Sequence, residues 1–299
     1  MNLKQFKYIL VLSEVKNFSK AADILNVSQP SLSQYVKYLE KELNVELFDR
    51  SGNDLKLTDS GKAFIEAGKK ILDIQHQLYN EFSDISNGKQ GSIIVGASLY
   101  RGTCIMPEVI SKFKEKYPGI RVIVEEKREK DLLSDAEDGA FDIFLTTTPI
   151  NEKKFAYKSI VEEEFTVCAP SSLDLKADDN NYIDVNLINN LDFIALDDNQ
   201  LIQSQFNDFC EKQGIKANVT AECRNIITQL AMVNEGVGCA IVPSTTQKFS
   251  FNNNNIKFYK FKQKWQKRNV VVAYLKNHYL SEATKYLIEL LTNMFGKRD

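Results

Sequence analysis

The pattern of apolar and polar positions begins with helices. Leu3, Phe6, Ile9 and Leu10, joined by Val11, put an apolar stripe on a helix over residues 3–14. A shorter helix is predicted at about 18–25, where Ala21 and Ala22 allow a neighbouring helix to approach closely. Asn26 tolerates the left-handed backbone of a tight turn. Ser28 then offers an N-cap, and Pro30 sits in the first turn of a third helix running to about Leu43. In that helix Leu32, Val36, Leu39 and Leu43 face a core, while Gln29, Ser33 and Lys37 recur every fourth residue on another face. Two short extended runs, Val45–Arg50 and Asp54–Thr58, are joined by Ser51-Gly52-Asn53 and predict a β-hairpin.

Thr58 caps a long helix reaching about Ser86. Phe64, Ile71, Leu78 and Ile85 repeat every seventh residue along it, with Ile74 and Phe82 between them. A heptad stripe on a helix with no domain wrapped around it calls for a partner helix, so two chains are expected to pair here. The glycine-bearing polar segment Asn87–Gly91 marks a domain boundary. Beyond it strand and helix patterns alternate. Strands are predicted at Ser92–Ala97, Ile120–Glu125, Phe141–Leu145, Phe165–Ala169, Asp192–Leu196, Val219–Glu222, Cys239–Pro243 and Val270–Tyr274. Helices are predicted at Pro107–Tyr117, Lys130–Asp138, 201–213 and 225–234, with a last one from Ser281. Such alternation implies an α/β unit with a largely parallel sheet.

Composition narrows the function classes. With 43% hydrophobic and 26% charged residues and a net charge of -2, the 299-residue chain reads as an ordinary globular protein of two or three domains. Any nucleic-acid site must therefore be local. Residues 1–60 hold eight basic and eight acidic side chains, so recognition there rests on placement and on doubling by dimerisation. No apolar run approaches the roughly 20 residues that span a bilayer, and the protein is expected to be cytoplasmic, with no membrane partner. The five scattered cysteines read as free, mostly buried thiols of a reducing compartment. The two histidines, His76 and His278, leave little for a metal site or a catalytic triad.

Particular residues carry a resemblance. Asn17-Phe18-Ser19-Lys20-Ala21-Ala22 leads through Leu25-Asn26-Val27-Ser28-Gln29-Pro30-Ser31-Leu32-Ser33. Leu39-Glu40, Leu43, Leu47-Phe48-Asp49-Arg50, Leu57-Thr58 and Gly61 complete the run. Further on come Phe113 with Tyr117-Pro118, Asp142-Ile143, and Gly236-Val237-Gly238 with Ile241 and Pro243. From end to end the chain resembles a LysR-type transcriptional regulator. The resemblance implies an α/β fold class made of three parts: a winged helix-turn-helix over residues 1–58, a linker and dimerisation helix over 59–87, and a two-lobed effector domain like periplasmic binding proteins over 92–299. Lobe I takes about 92–162 and 269–299; lobe II takes about 163–268. The implied partners are double-stranded promoter DNA, a small-molecule effector, further copies in a homodimer or homotetramer, and RNA polymerase. No cofactor is implied.

The third helix suits the major groove, because the N-terminal residues of a recognition helix reach base edges. Gln29 can pair with adenine, Ser28, Ser31 and Ser33 can reach bases or phosphate, and the Pro30 ring can touch a thymine methyl. Lys37, Arg50 and Ser51 are placed to grip phosphates. Gln34 stands where the family usually has arginine, which weakens phosphate grip or shifts base preference. For the effector, ligands of open α/β sheets bind beyond the carboxyl ends of strands. By matched position the candidates are Ser98, Leu99, Tyr100, Arg101, Gly102 and Thr103, then Arg128, Thr146 and Thr147, and in lobe II Gln200 and Asn225. Helix-start amides with Arg101 or Arg128 suit an anionic or zwitterionic ligand. The lobes are expected to close by hinge motion where the chain crosses near Ile160–Thr166 and Arg268–Val272.

An enzyme is disfavoured because no nucleophile elbow, phosphate loop, dinucleotide fingerprint or metal cluster is present. A thiol redox switch, known in the family, would use Cys210, but Leu201 occupies the position matching the reactive cysteine. The cationic, aromatic run Lys257–Arg268 reads as a solvated strand edge before it reads as a stacking platform for single strands.

Overall fold

The computed structural model describes residues 2–51, 55–85, 90–197, 201–249, 255–263, 265 and 267–296. Helix α1 (Leu3–Val15) starts at Asn2, whose side chain accepts from the Gln5 amide in a reciprocal capping box. Asn17 and Asn26 bracket α2 (Phe18–Leu25), and Ser28 and Asn44 bracket α3 (Gln29–Leu43); both closing asparagines are left-handed. Ile9, Leu12, Leu32, Val36 and Leu39 are wholly excluded from solvent between the three helices. The hairpin is shorter than predicted. Strands β1 (Phe48–Asp49) and β2 (Lys56–Leu57) form two pairs only, and Gly52 and Asn53 of the predicted turn, with Asp54, lie outside the described residues.

Thr58 Oγ1 accepts the Gly61 amide at 3.0 Å and begins α4 (Asp59–Ile85). Gly61 runs so close to the hairpin that an added Cβ would lie 2.1 Å from the Leu47 carbonyl oxygen. The expected heptad divides in two. Phe64 stacks on Phe6 at 4.9 Å inside the N-terminal core, whereas Ile74, Leu78, Tyr79 and Phe82 are exposed. Nor is the helix free of its own chain, as the sequence suggested. A second face docks on the following domain, with Lys69 against Asp138 at 2.7 Å and Asn80 against Asp142 at 2.7 Å.

The rest is two lobes. Lobe I begins with β3 (Gly91–Ala97), α5 (Leu99–Lys116), β4 (Ile120–Glu126), α6 (Glu129–Glu137), β5 (Ile143–Thr147) and β6 (Phe155–Glu163). The chain then enters lobe II: β7 (Phe165–Pro170), β8 (Tyr182–Ile183), β9 (Asp192–Leu196), α7 (Leu201–Gln213), β10 (Asn218–Cys223), α8 (Ile226–Asn234), β11 (Ala240–Pro243), α9 (Thr246–Phe249) and β12 (Ile256–Phe261). It returns to lobe I as β13 (Arg268–Leu275) and α10 (Glu282–Phe295), the latter capped by Ser281. Lobe I holds a sheet of order β4-β3-β5-β13-β6, parallel through β5 and antiparallel beyond it. In lobe II the order is β11-β7-β12-β8, and the parallel pair β9–β10 joins it where β9 bonds Cys239. Phe113 and Val109 of α5 pack with Leu287 and Leu291 of α10 on one face of the first sheet. The chain leaves lobe I between Glu163 of β6 and Phe165 of β7, and returns between Phe261 of β12 and Arg268 of β13. Trp265, the only tryptophan, lies in the second crossing and stacks on Phe209 of α7 at 4.1 Å and 7°.

Helix α5 starts eight residues before the predicted Pro107. Ser98 caps it, and Pro107 sits inside on the solvent side. Among the described residues no helix is long and apolar enough to cross a membrane. All five cysteines are free; Cys168, Cys210 and Cys239 are buried.

Candidate DNA and effector sites

On α3 the residues Ser28, Gln29, Pro30, Ser31, Gln34 and Lys37 are exposed on one side of the helix start, while Ser33 is half-buried. Ser28 already has local work: its hydroxyl accepts the Ser31 amide and lies 2.7 Å from the Ser31 hydroxyl. Gln29, Gln34 and Lys37 carry no side-chain bond to a described residue. Tyr38, which the sequence reading passed over, is 67% exposed beside Lys37.

Arg50 is held. Its guanidinium donates to Glu40 Oε2 at 2.8 Å and lies over the Phe18 ring at 5.5 Å, while Glu40 Oε1 accepts the Leu47 and Phe48 amides. One carboxylate thus ties the wing to α3. Ser51 is also engaged, giving its amide and hydroxyl to Asp49, and those bonds hold the Asp49 carboxyl below the usual range.

Between the lobes lies a cavity of about 360 Å³. Ser98, Leu99, Tyr100 and Arg101 reach it from the start of α5, Arg128 from the start of α6, Thr147 from the end of β5, and Asn225 from the cap of α8. Seven predicted residues therefore meet at one place. Gly102, Thr103 and Thr146 do not line it: Gly102 packs beneath Glu126, and Thr146 donates to Glu129. Gln200 lies outside the described residues. The lining holds the cations Arg101, Lys127, Arg128, Arg224 and Arg268 against the carboxylates Glu126 and Glu129.

Not all of that positive charge faces a ligand. Arg101 is 5% exposed and donates to Glu163 at 3.2 Å, with Glu129 at 3.6 Å. Arg268 donates to the same Glu163 oxygen at 2.7 Å, and Thr245 closes the set on Oε2 at 2.8 Å. Burial pushes the Arg268 guanidinium down, while the Glu163 charge works against that. Arg101 Nε is buried without a partner among the described residues. Arg128, by contrast, is exposed and has no ion pair among the described residues.

A domain described as the LysR substrate binding domain matches residues 86–296, and the bacterial regulatory helix-turn-helix protein of the lysR family matches residues 3–62. The chain belongs to the LysR family of bacterial transcriptional regulators. It is a DNA-binding transcriptional regulator with an effector-binding domain. Its relatives include the HTH-type transcriptional regulator YcgK of Bacillus subtilis, 26% identical over 97% of this chain and 94% of that one. A "Probable RuBisCO transcriptional regulator" of Phaeodactylum tricornutum is 29% identical over 95% and 94%, and the hydrogen peroxide-inducible genes activator of Haemophilus influenzae is 25% identical over 93% and 94%. Among solved structures, CbnR, a LysR family transcriptional regulator, matches with a TM-score of 0.70 at 17% identity, covering 99% of this chain and 100% of that one. CbnR complexed with its target DNA matches at 0.67 and 17%, covering 98% and 99%. The regulatory domain of CcmR from Synechocystis in complex with 2-PG matches at 0.61 and 17%, covering 70% and 99%.

The charged residues at this site that the sequence did not single out are Glu126, Lys127, Glu129, Glu163, Arg224 and Arg268. Only the β6–β13 register, which sets Arg268 opposite Glu163, brings those two residues together.

Proposed function

We propose that this LysR-family chain reads promoter DNA with the start of α3 and is regulated by an anionic or zwitterionic metabolite held between its lobes. Residues 1–58 form the DNA-binding unit, 59–87 the linker that pairs two chains, and 92–299 the effector unit. Dimers pair further into a tetramer, act in the cytoplasm, touch RNA polymerase at the promoter, and catalyse no reaction. The reading of the effector rests on one observation above others: the starts of α5, α6 and α8 converge on one cavity whose charged side chains are mostly cations. Helix starts present free amides and partial positive charge, and so favour an anion. The CcmR regulatory domain, which shares this fold, was solved in complex with 2-PG, in keeping with a small-molecule effector. Arg128 and the first amides of α5 are the contacts, and Arg101 belongs to the hinge.

The test is a thermal-shift screen of small carboxylates, phosphates, amino acids and matched uncharged analogues, followed by calorimetry on Arg128→Ala and Ser98→Ala. A charged hydrogen bond is worth about 1.5–3 kcal/mol, so Kd for a captured anion should rise roughly tenfold or more in Arg128→Ala. Selection of uncharged compounds only, or an unchanged Kd in both variants, would remove the anion assignment.

A peroxide-sensing function has less support. Burial pushes the Cys210 thiol up to about 11 and Cys104 and Cys239 up to about 12, the opposite of what an oxidisable thiolate needs.

A further inference from the structure

Both histidines of the chain lie in one place, the joint between α4 and lobe I. His76 Nε2 is 3.0 Å from Asp142 Oδ2, and His278 Nε2 is 3.1 Å from Asp73 Oδ2. The two pairs run in opposite senses, since α4 supplies the imidazole in one and the carboxylate in the other. Asp142 is 4% exposed in its side chain and serves as a socket. It also accepts from Asn80 Nδ2 at 2.7 Å and from the Ile94 amide of β3 at 2.6 Å.

Further charges stand around the joint: Lys70 acts on Asp138, Glu81 and Glu282 on Tyr279, and Lys285 on Asp84. From α4, Asp73, Lys69 and Asp84 face the joint, with Gln77 donating to Asp73 at 2.7 Å. From lobe I come Asp135 and Asp138, which take Lys69, and Asp135 also takes Lys127. Tyr279, in the turn before α10, and the amide of Glu282, its first residue, both donate to Asp84. Gly139, at φ +80°, lets the backbone of lobe I come so near that an added Cβ would lie 2.6 Å from the Asp73 carboxyl carbon. The joint is therefore close-fitting. Its permanent ion pairs are centred on lysine, and both histidines sit against carboxylates across it.

We propose that His76 is the proton-operated part of a catch, shared with the His278–Asp73 contact, that fastens the linker helix to lobe I of the same chain. With the His76 ring charged, a cation bridges the joint to the buried Asp142 carboxylate. With it neutral, the ring keeps an N–H bond to that carboxylate but loses its own charge, and the hold weakens without vanishing. The sign follows from the surroundings of His76. Its hydrogen bond to Asp142 raises it above the ordinary histidine value and outweighs burial, which lowers it; the charges of Asp142 and Asp73 add to the rise. A group raised in the docked form stabilises docking fully below its undocked value, about 6.5. That stabilisation is lost as pH rises through the docked value. Acid should tighten the joint and base should loosen it. Because α4 carries the DNA-binding unit at its other end, the catch sets how firmly that unit's direction is tied to the lobes.

Mass spectrometry of the full-length protein tests this twice. Exchange at the imidazole C2 position gives each histidine its own titration curve. The His76 midpoint should lie above that of free histidine and fall in Asp142→Asn. Amide exchange of the segment 134–143, which α4 covers, should quicken at least threefold between pH 6 and pH 8 after correction for the intrinsic rate. The double variant His76→Gln, His278→Gln should lose that dependence, and it should fold, because glutamine keeps a donor and Asp142 keeps Asn80 and the Ile94 amide. Flat corrected exchange in the parent, or pH dependence that survives in the double variant, would overturn the catch, even if Asp142→Asn proves too disruptive to interpret.

Discussion

Glu40 is one residue whose loss should be felt beyond its own contacts. Its carboxylate satisfies two amides of the wing and holds Arg50. Glu40→Ala leaves those amides unpaired, at a cost of about 1–3 kcal/mol each where water cannot replace the bond. Denaturant unfolding of the variant should show that loss, together with weaker binding to any DNA. Gln29→Ala should behave differently. A base contact carries roughly 1–3 kcal/mol of discrimination, so the variant should keep weak, salt-sensitive binding while its preference for the operator over random DNA collapses. An unchanged specificity ratio in a competition footprint would mean that another residue reads the bases, and exposed Tyr38 would be the next to test. The thiols give a negative expectation. With every cysteine raised by burial, thiol titration before and after a modest excess of peroxide should find all five unoxidised.

Among the elements, α4 has the most to explain. Its first turns belong to the N-terminal core, one face of its second half belongs to lobe I, and a further face with Ile74, Leu78, Tyr79 and Phe82 is exposed. Exposed aromatic and aliphatic side chains at spacings of four suit a second copy of the same helix. Replacing Leu78 and Phe82 with lysine should give a smaller particle in light scattering and abolish specific DNA binding. A monodisperse monomer of the unmodified protein at micromolar concentration would exclude such pairing. The heptad was legible in sequence, but its division was not, because periodicity says that a side chain is apolar without saying which neighbour covers it. Cap residues were the surest signals: Ser28, Thr58, Asn225 and Ser281 each mark a helix start that the fold uses. The start of α5 was hidden because Gly102 and Pro107 break the helical pattern. Strand β6 was half hidden, because Tyr157-Lys158-Ser159 lies on a sheet edge facing water and offers no apolar alternation.

At the scale of the whole molecule, the matched positions around the cavity between the lobes came together because strand and helix ends are fixed by topology. What escaped was the buried set Arg101–Glu163–Arg268, assembled from three distant segments. Its consequence is mechanical, since Glu163 and Arg268 stand at the two points where the chain crosses between lobes. Glu163→Gln leaves two buried guanidinium groups short of charge, a loss of about 3–5 kcal/mol that denaturant unfolding should report. Arg101→Ala should likewise lower stability, so its effect on ligand binding must be read as a Kd and not as a melting temperature. The same crossing also carries Trp265, stacked face to face on Phe209 and shared with no other tryptophan. The protein thus comes with its own optical probe. Excitation at the red edge of the near ultraviolet addresses a single indole beside the segment that must flex. A shift in its emission maximum or lifetime on adding a candidate metabolite would follow lobe movement directly, without a dye, a label or an engineered residue.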